Sequence, residues 1–153
     1  MTDAGELTYR RVHRASPDLL FACMTQAEHL SEFWGPAGTT TPAGRIVVDL
    51  RPGGAFETVM VNVQDGSEHA MRAVYEEVDR PTRLVWHEPG SGMTTTVTFT
   101  DLGDGTTEVV THQTNLPAAY RSPEARAGFA TSLDRFGTYV AALTASPGRG
   151  EST

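Results

Sequence analysis

The segment Gly128–Leu143, "GFATSLDRFGTYVAAL", places Phe129, Leu133, Phe136, Val140 and Leu143 at successive spacings of four, three, four and three. Those intervals keep all five side chains on one face of an α-helix. Just upstream, Ser122-Pro123-Glu124 marks a helix start: a Ser hydroxyl accepts from the orphan amides of the first turn, and Pro suits the first helical position. The spacing predicts a helix of about 22 residues, roughly 33 Å long. Such a helix needs a broad apolar surface to lie on.

Residues 44–113 supply that surface. Thr and Val dominate there, and turn signals recur at Arg51-Pro52-Gly53-Gly54, Gln64-Asp65-Gly66-Ser67, Asp79-Arg80-Pro81, Glu88-Pro89-Gly90-Ser91-Gly92 and Gly103-Asp104-Gly105. Each break puts Gly, Asp or Pro where a reverse turn needs unusual φ. The segments between them read as strands near 45–50, 54–63, 68–78, 83–88, 93–101 and 106–114. A further strand, 6–14, precedes them. Connections this short argue for an antiparallel meander rather than βαβ units. Between the first strand and the meander, Ser16-Pro17-Asp18 opens one short helix carrying Leu19, Leu20 and Cys23. A second runs from about Gln26 to Phe33 and stops at Gly35-Pro36.

Side-chain alternation phases the strands. Phe56, Thr58 and Met60 share a face, as do Met71, Ala73 and Tyr75; Leu84, Trp86 and Glu88; Val97 and Phe99; and Val109 and Thr111. The expected fold is α+β: a curved six- or seven-stranded antiparallel sheet around a long C-terminal helix, with two short helices after the first strand. One domain is expected over 1–144, with a disordered tail over 145–153. Between sheet and helix would lie Phe56, Met60, Met71, Tyr75, Trp86, Phe99, Phe129, Leu133 and Phe136. From periodicity alone this interior is either solidly packed or left partly open as a pocket.

Composition narrows the function. The net charge is −7, and all twelve basic residues are Arg. Without a cationic cluster to displace counterions, nucleic acid is excluded as an expected partner. No apolar run approaches the ~20 residues that span a bilayer, and the opening Met1–Val12 has no secretory apolar core. The expectation is a soluble cytoplasmic protein. Cys23 is the only cysteine, so it has no internal disulfide partner and reads as a buried small hydrophobe.

The histidines His13, His29, His69, His87 and His112 form no ligand-spaced pair, so no metal is expected. There is no Gly-x-Ser-x-Gly elbow and no Gly-x-Gly-x-x-Gly after a strand; no cofactor is expected. Glu88 is the single weak catalytic candidate. It shares the parity of Trp86, and an apolar pocket would raise its pKa into a range useful for proton transfer. The alternative is a carboxylate at the strand end, in water. In "DLRPGG", 49–54, Asp49 and Arg51 read as a structural pair at a tight turn.

Five stretches in order resemble one family: "SPDLLFACMTQAEHLSEFWGPAG" (16–38), "DLRPGGAFETVM" (49–60), "AVYEEVDRPTRLVW" (73–86), "TTVTFTDLGDGTTEVVTHQTNL" (95–116) and "GFATSLDRFGTYV" (128–140). They are similar to the SRPBCC superfamily, in the branch related to the activator of the ninety-kilodalton heat-shock chaperone's ATPase. The resemblance covers roughly 7–143. It implies a helix-grip fold with a cavity between sheet and terminal helix, used for lipids, polyketides or other apolar molecules. It implies that Trp34 lies along the cavity mouth and caps it; packing between the short helices and the sheet is its other reading. Two positions depart from the family pattern: Phe129 stands where a Trp commonly follows Gly128, and Ala73 where Gly is usual. The resulting expectation is a non-enzymatic binder of a small apolar ligand. A polyketide cyclase- or dehydratase-like enzyme and a chaperone-interacting module are the alternatives. A homodimer stays open.

Overall fold

The computed structural model describes residues 5–145. The elements in chain order are β1 (Leu7–His13), α1 (Pro17–Thr25), α2 (Ala27–Phe33), β2 (Thr39–Thr40), β3 (Val47–Val48), β4 (Ala55–Asn62), β5 (Glu68–Asp79), β6 (Arg83–His87), β7 (Thr94–Asp101), β8 (Thr107–Thr114) and α3 (Pro123–Ala145). Short 3-10 turns at Ala43–Arg45 and Ala118–Tyr120 join them. Of the expected tail 145–153, Ala145 instead ends α3, and the rest lies outside the described residues.

The strands form one antiparallel sheet in the order β1-β8-β7-β6-β5-β4-β2, with β3 also on β4. It has eight strands, one more than the sequence suggests. The extra one is β2, two residues long, and the expected 45–50 strand shrinks to Val47–Val48. Both sit at the β4 edge, where periodicity carries little signal because so few residues pair.

Local chemistry sets the boundaries. Ser16 Oγ accepts from the Leu19 amide at 3.1 Å and Ser122 Oγ from the Ala125 amide at 3.1 Å, so both Ser-Pro starts act as caps. α2 ends where Gly35 takes φ +99°. In the 49–54 turn, Asp49 and Arg51 form a two-point ion pair at 3.0 and 2.9 Å. A Cβ on Gly54 would lie 2.0 Å from the Asp49 carbonyl oxygen, so only glycine fits. Gly53 N–H and Gly54 C=O then bond across to Tyr75 on β5.

The helix α3 is not the only cover for the sheet. The inner residues of β4 to β8 are buried as phased, except Met60 and Glu88, which are half-buried, but α1 and α2 cap one end. Phe21 packs on Phe99 with ring centroids 5.7 Å apart, and Leu20, Phe21, Cys23 and Leu30 are fully buried. Burial pushes the Cys23 thiol up to about 11. On β1, Leu7, Tyr9, Arg11 and His13 face α3, and Val12 turns outward at 57% exposed. The C-terminal half of α3 is fastened at several points. Arg11 pairs with Asp134 at 2.7 Å, the His13 ring meets Phe136 edge-on at 5.1 Å, and Tyr139 Oη lies 2.6 Å from His29 Nδ1. Phe136 and Val140 are buried there, whereas Leu143 runs past the sheet and is exposed.

Tyr75 stacks face to face on Phe56 at 5.4 Å. Its hydroxyl is buried with no hydrogen-bond partner among the described residues, and burial raises its pKa. An unpaired buried hydroxyl costs free energy. Tyr75→Phe is therefore expected to stabilise the protein by about 1 kcal/mol, read as a higher urea midpoint at unchanged slope.

Candidate functional site

The N-terminal half of α3 stands off the sheet, and a cavity of about 470 Å³ opens between them. Besides Glu124 and Arg126 at the helix start, its wall on the helix is a run of six residues: Ala125, Gly128, Phe129, Ser132, Leu133 and Phe136. They recur at three and four, so they are one face of α3. Three of the six are small, and that leaves the space. The facing sheet contributes Leu7, Met60, Met71, Trp86, Thr95, Val97, Thr111 and Gln113, and the β6–β7 loop contributes Met93. Met24, Phe33 and Trp34 close the end toward α1 and α2.

Of the ten residues expected around a ligand, Trp34, Met60, Met71, Trp86, Phe129, Leu133 and Phe136 line this cavity. Phe56, Tyr75 and Phe99 do not. They have the inward parity, but they lie in the solid core: Phe56 and Tyr75 against each other, Phe99 against Phe21. Parity tells which face is buried and not what covers it. Here two short helices seal one end of the sheet and α3 leaves the other open. The two sequence alternatives, packed core and pocket, are both realised at different ends.

Trp34 joins the two regions. Its ring meets Phe56 edge-on at 5.4 Å and approaches Trp86 at 6.2 Å, and it also faces the cavity. The following loop is held to α3. Arg135 Nη1 donates to the carbonyls of Gly35 at 2.8 Å, Pro36 at 2.9 Å and Thr39 at 3.3 Å. Thr131 Oγ1 accepts from the Ala37 amide at 3.1 Å. Gly35 has to be glycine, because a Cβ would lie 2.6 Å from Thr39 Oγ1 and 2.9 Å from Met60 Sδ. Arg135→Ala should cost about 1–2 kcal/mol, the lower part of the range for charged hydrogen bonds since loop carbonyls can turn to water. Hydrogen exchange should then speed up at the amides of Ala37 and Thr39 before it does in the sheet.

Sequence reasoning passed over the small residues 125, 128 and 132. Their signal was available: 125 lies four positions before Phe129, 128 eight before Phe136, and 132 three after Phe129 and four before Phe136. Around the mouth it found Glu88 alone and passed over His69, Tyr120, Glu124 and Arg126. His69 at the start of β5, Glu88 just beyond β6, Tyr120 in the 3-10 turn, and Glu124 and Arg126 on the first turn of α3 all border the cavity. Tyr120 Oη lies 3.5 Å from His69 Nε2. No local pattern connects these segments.

Glu88 faces the cavity. Its backbone closes the β6–β7 hairpin, with N–H to Met93 C=O at 2.8 Å and C=O to Gly92 N–H at 2.8 Å. Burial raises its pKa from the ordinary glutamate value, and its charge helps raise that of Tyr120. A carboxyl whose folded pKa lies above its unfolded one binds more protons in the folded state, so stability falls as pH rises through that interval. Glu88→Gln should match the parent near pH about 4 and exceed its melting temperature at neutral pH. A constant difference across the titration would contradict this. Among the described residues no group of three or more His, Cys, Asp or Glu side chains assembles that could hold a metal, and no helix is long and apolar enough to cross a membrane.

The family model described as "Activator of Hsp90 ATPase homolog 1-like protein" matches residues 14–141. The chain belongs to this family. That match spans both short helices, the whole meander and most of α3, and so includes every lining residue of the cavity except Leu7 on β1. Solved structures share the fold. A Nitrosomonas europaea protein is 21% identical over 95% of this chain and 99% of its own, with TM-score 0.79. A Rhodobacter sphaeroides protein is 19% identical over 92% and 95%, with TM-score 0.80. An AHSA1 protein of Silicibacter pomeroyi is 21% identical over 90% and 99%, with TM-score 0.74. Among curated proteins none matches.

Proposed function

We propose that this AHSA1-type domain is a cytoplasmic binder of a small, largely apolar molecule, held between α3 and the sheet. The observation that carries the reading is the cavity itself. Its volume of about 470 Å³ falls within the roughly 300–1,000 Å³ usual for ligand sites. Its walls are mostly aliphatic, aromatic and thioether side chains, and burying such surface is the main source of affinity for an apolar ligand. Three methionines, Met60 and Met71 on the sheet and Met93 in the β6–β7 loop, line it. Unbranched and polarizable, they adapt to ligands of different outline.

The test is direct. Protein purified from its host is analysed by native mass spectrometry for a co-purifying small molecule, and the emptied protein is titrated with the neutral dye Nile red. Saturable one-to-one uptake supports the reading. No adduct and no uptake would end it.

Glu88 favours a second reading, in which a cyclase- or dehydratase-like reaction uses its carboxyl as general acid or base. Retention of full turnover by Glu88→Gln, once a substrate is in hand, would remove it. The family's description also suggests contact with a chaperone ATPase, which a pull-down with that chaperone tests.

A further inference from the structure

Resting on the binding reading above, the geometry points to an amphiphile with a protonated amine head as the ligand, its apolar body inside the cavity and its head group on Glu88. The cavity has one apolar end and one polar end. Met24, Phe33 and Phe136 close the inner part, while Glu88, His69 and Tyr120 stand at the mouth. A molecule matching this layout is apolar along its length and polar at one tip.

The sign of that tip follows from Glu88. An ionised carboxylate only accepts hydrogen bonds. Among the described residues the Glu88 carboxylate has no hydrogen-bond or ion-pair partner; the ion pairs there all involve other acids. Arg126 is the one guanidinium in the lining, and it forms no ion pair with Glu88. Glu124 adds a second acidic group at the same rim, and Tyr120 and His69 occupy each other at 3.5 Å. Of these two carboxylates, both unpaired among the described residues, Glu88 is half-buried and Glu124 exposed, so Glu88 is the acceptor that an incoming head group meets together with the apolar wall.

A protonated amine supplies up to three donors and the opposite charge, and such charge-assisted bonds are about twice as strong as neutral ones. Trp86, two residues before Glu88, lines the same space, and an aromatic ring attracts a cation through its quadrupole. The net charge of −7 draws cations toward the surface and repels anionic amphiphiles. A carboxylate or phosphate tip would have only Arg126, exposed at the rim, as a cationic partner in the lining and would meet both Glu88 and Glu124 as like charges.

The experiment displaces Nile red from the protein with decylamine, decanol and decanoate at neutral pH, on the parent and on Glu88→Gln. The two side chains are nearly isosteric, so the variant keeps the cavity's shape. In the parent, decylamine is expected to bind at least tenfold more tightly than decanol, with decanoate weakest. In Glu88→Gln the amine-to-alkanol ratio should fall to near one. A parent ratio near one, decanoate equal to decylamine, or a ratio unchanged in the variant would each overturn the head-group assignment while the cavity reading stands. Failure of the dye itself to bind would overturn both.

Discussion

Phe56→Ala is expected to destabilise the protein by about 3–5 kcal/mol, the range for emptying a buried aromatic site. In a domain of this size that lowers the melting temperature by about 10 °C or more. The ring is fully buried and sits at the centre of an aromatic cluster. Tyr75 stacks on it at 5.4 Å, Trp86 meets it edge-on at 5.1 Å and Trp34 edge-on at 5.4 Å. Aromatic pairs in these geometries add to simple area burial. None of the three neighbours can collapse into the gap, because each is held by its own strand or helix end. The void would also lie beside the Tyr75 hydroxyl, which has no partner already. Phe129→Ala is the contrasting case. Phe129 has one side on Tyr9, with centroids 5.0 Å apart, and the other on the cavity, so its loss should cost less than half as much. Equal losses for the two variants, measured by urea unfolding, would mean that the aromatic core and the cavity wall are not the separate regions described above.

Ser132→Trp is expected to abolish dye uptake, with affinity reduced by at least about tenfold, or roughly 1.4 kcal/mol. Ser132 lies mid-way along the cavity-lining face of α3, between Phe129 and Phe136 on that face. An indole there projects into open space and takes the volume a ligand needs. Overpacking strain arises where side chains are already in contact, and here they are not. Apolar area moves out of water instead, so the variant should be as stable as the parent or slightly more so. Loss of binding together with retained stability is the diagnostic pair. Unchanged uptake would show that the dye binds somewhere other than between α3 and the sheet.

The outline of the fold could be read from residue order because each element carries its own signal. Ser16-Pro17 and Ser122-Pro123 start their helices through hydroxyl caps a few atoms away. The Gly-rich turns set the meander, and alternation phases the inner faces of β4 to β8. These are local effects, decided within three or four residues. The large cavity residues Met60, Met71, Trp86, Phe129, Leu133 and Phe136 followed from the same periodicities.

What covers each part of the sheet depended on tertiary packing. Phe56, Tyr75 and Phe99 have the same alternation as Met71 and Trp86, yet they became core because α1 and α2 close over that end. The opening at the other end exists because Asp134, Phe136 and Tyr139 pin the C-terminal half of α3, while small residues at 125, 128 and 132 keep its N-terminal half from filling the gap. The mouth, where His69, Glu88 and Tyr120 converge, joins chain segments far apart in sequence. Periodicity reports which side of an element meets apolar surroundings. Only the docking of one element on another decides whether those surroundings are protein or space.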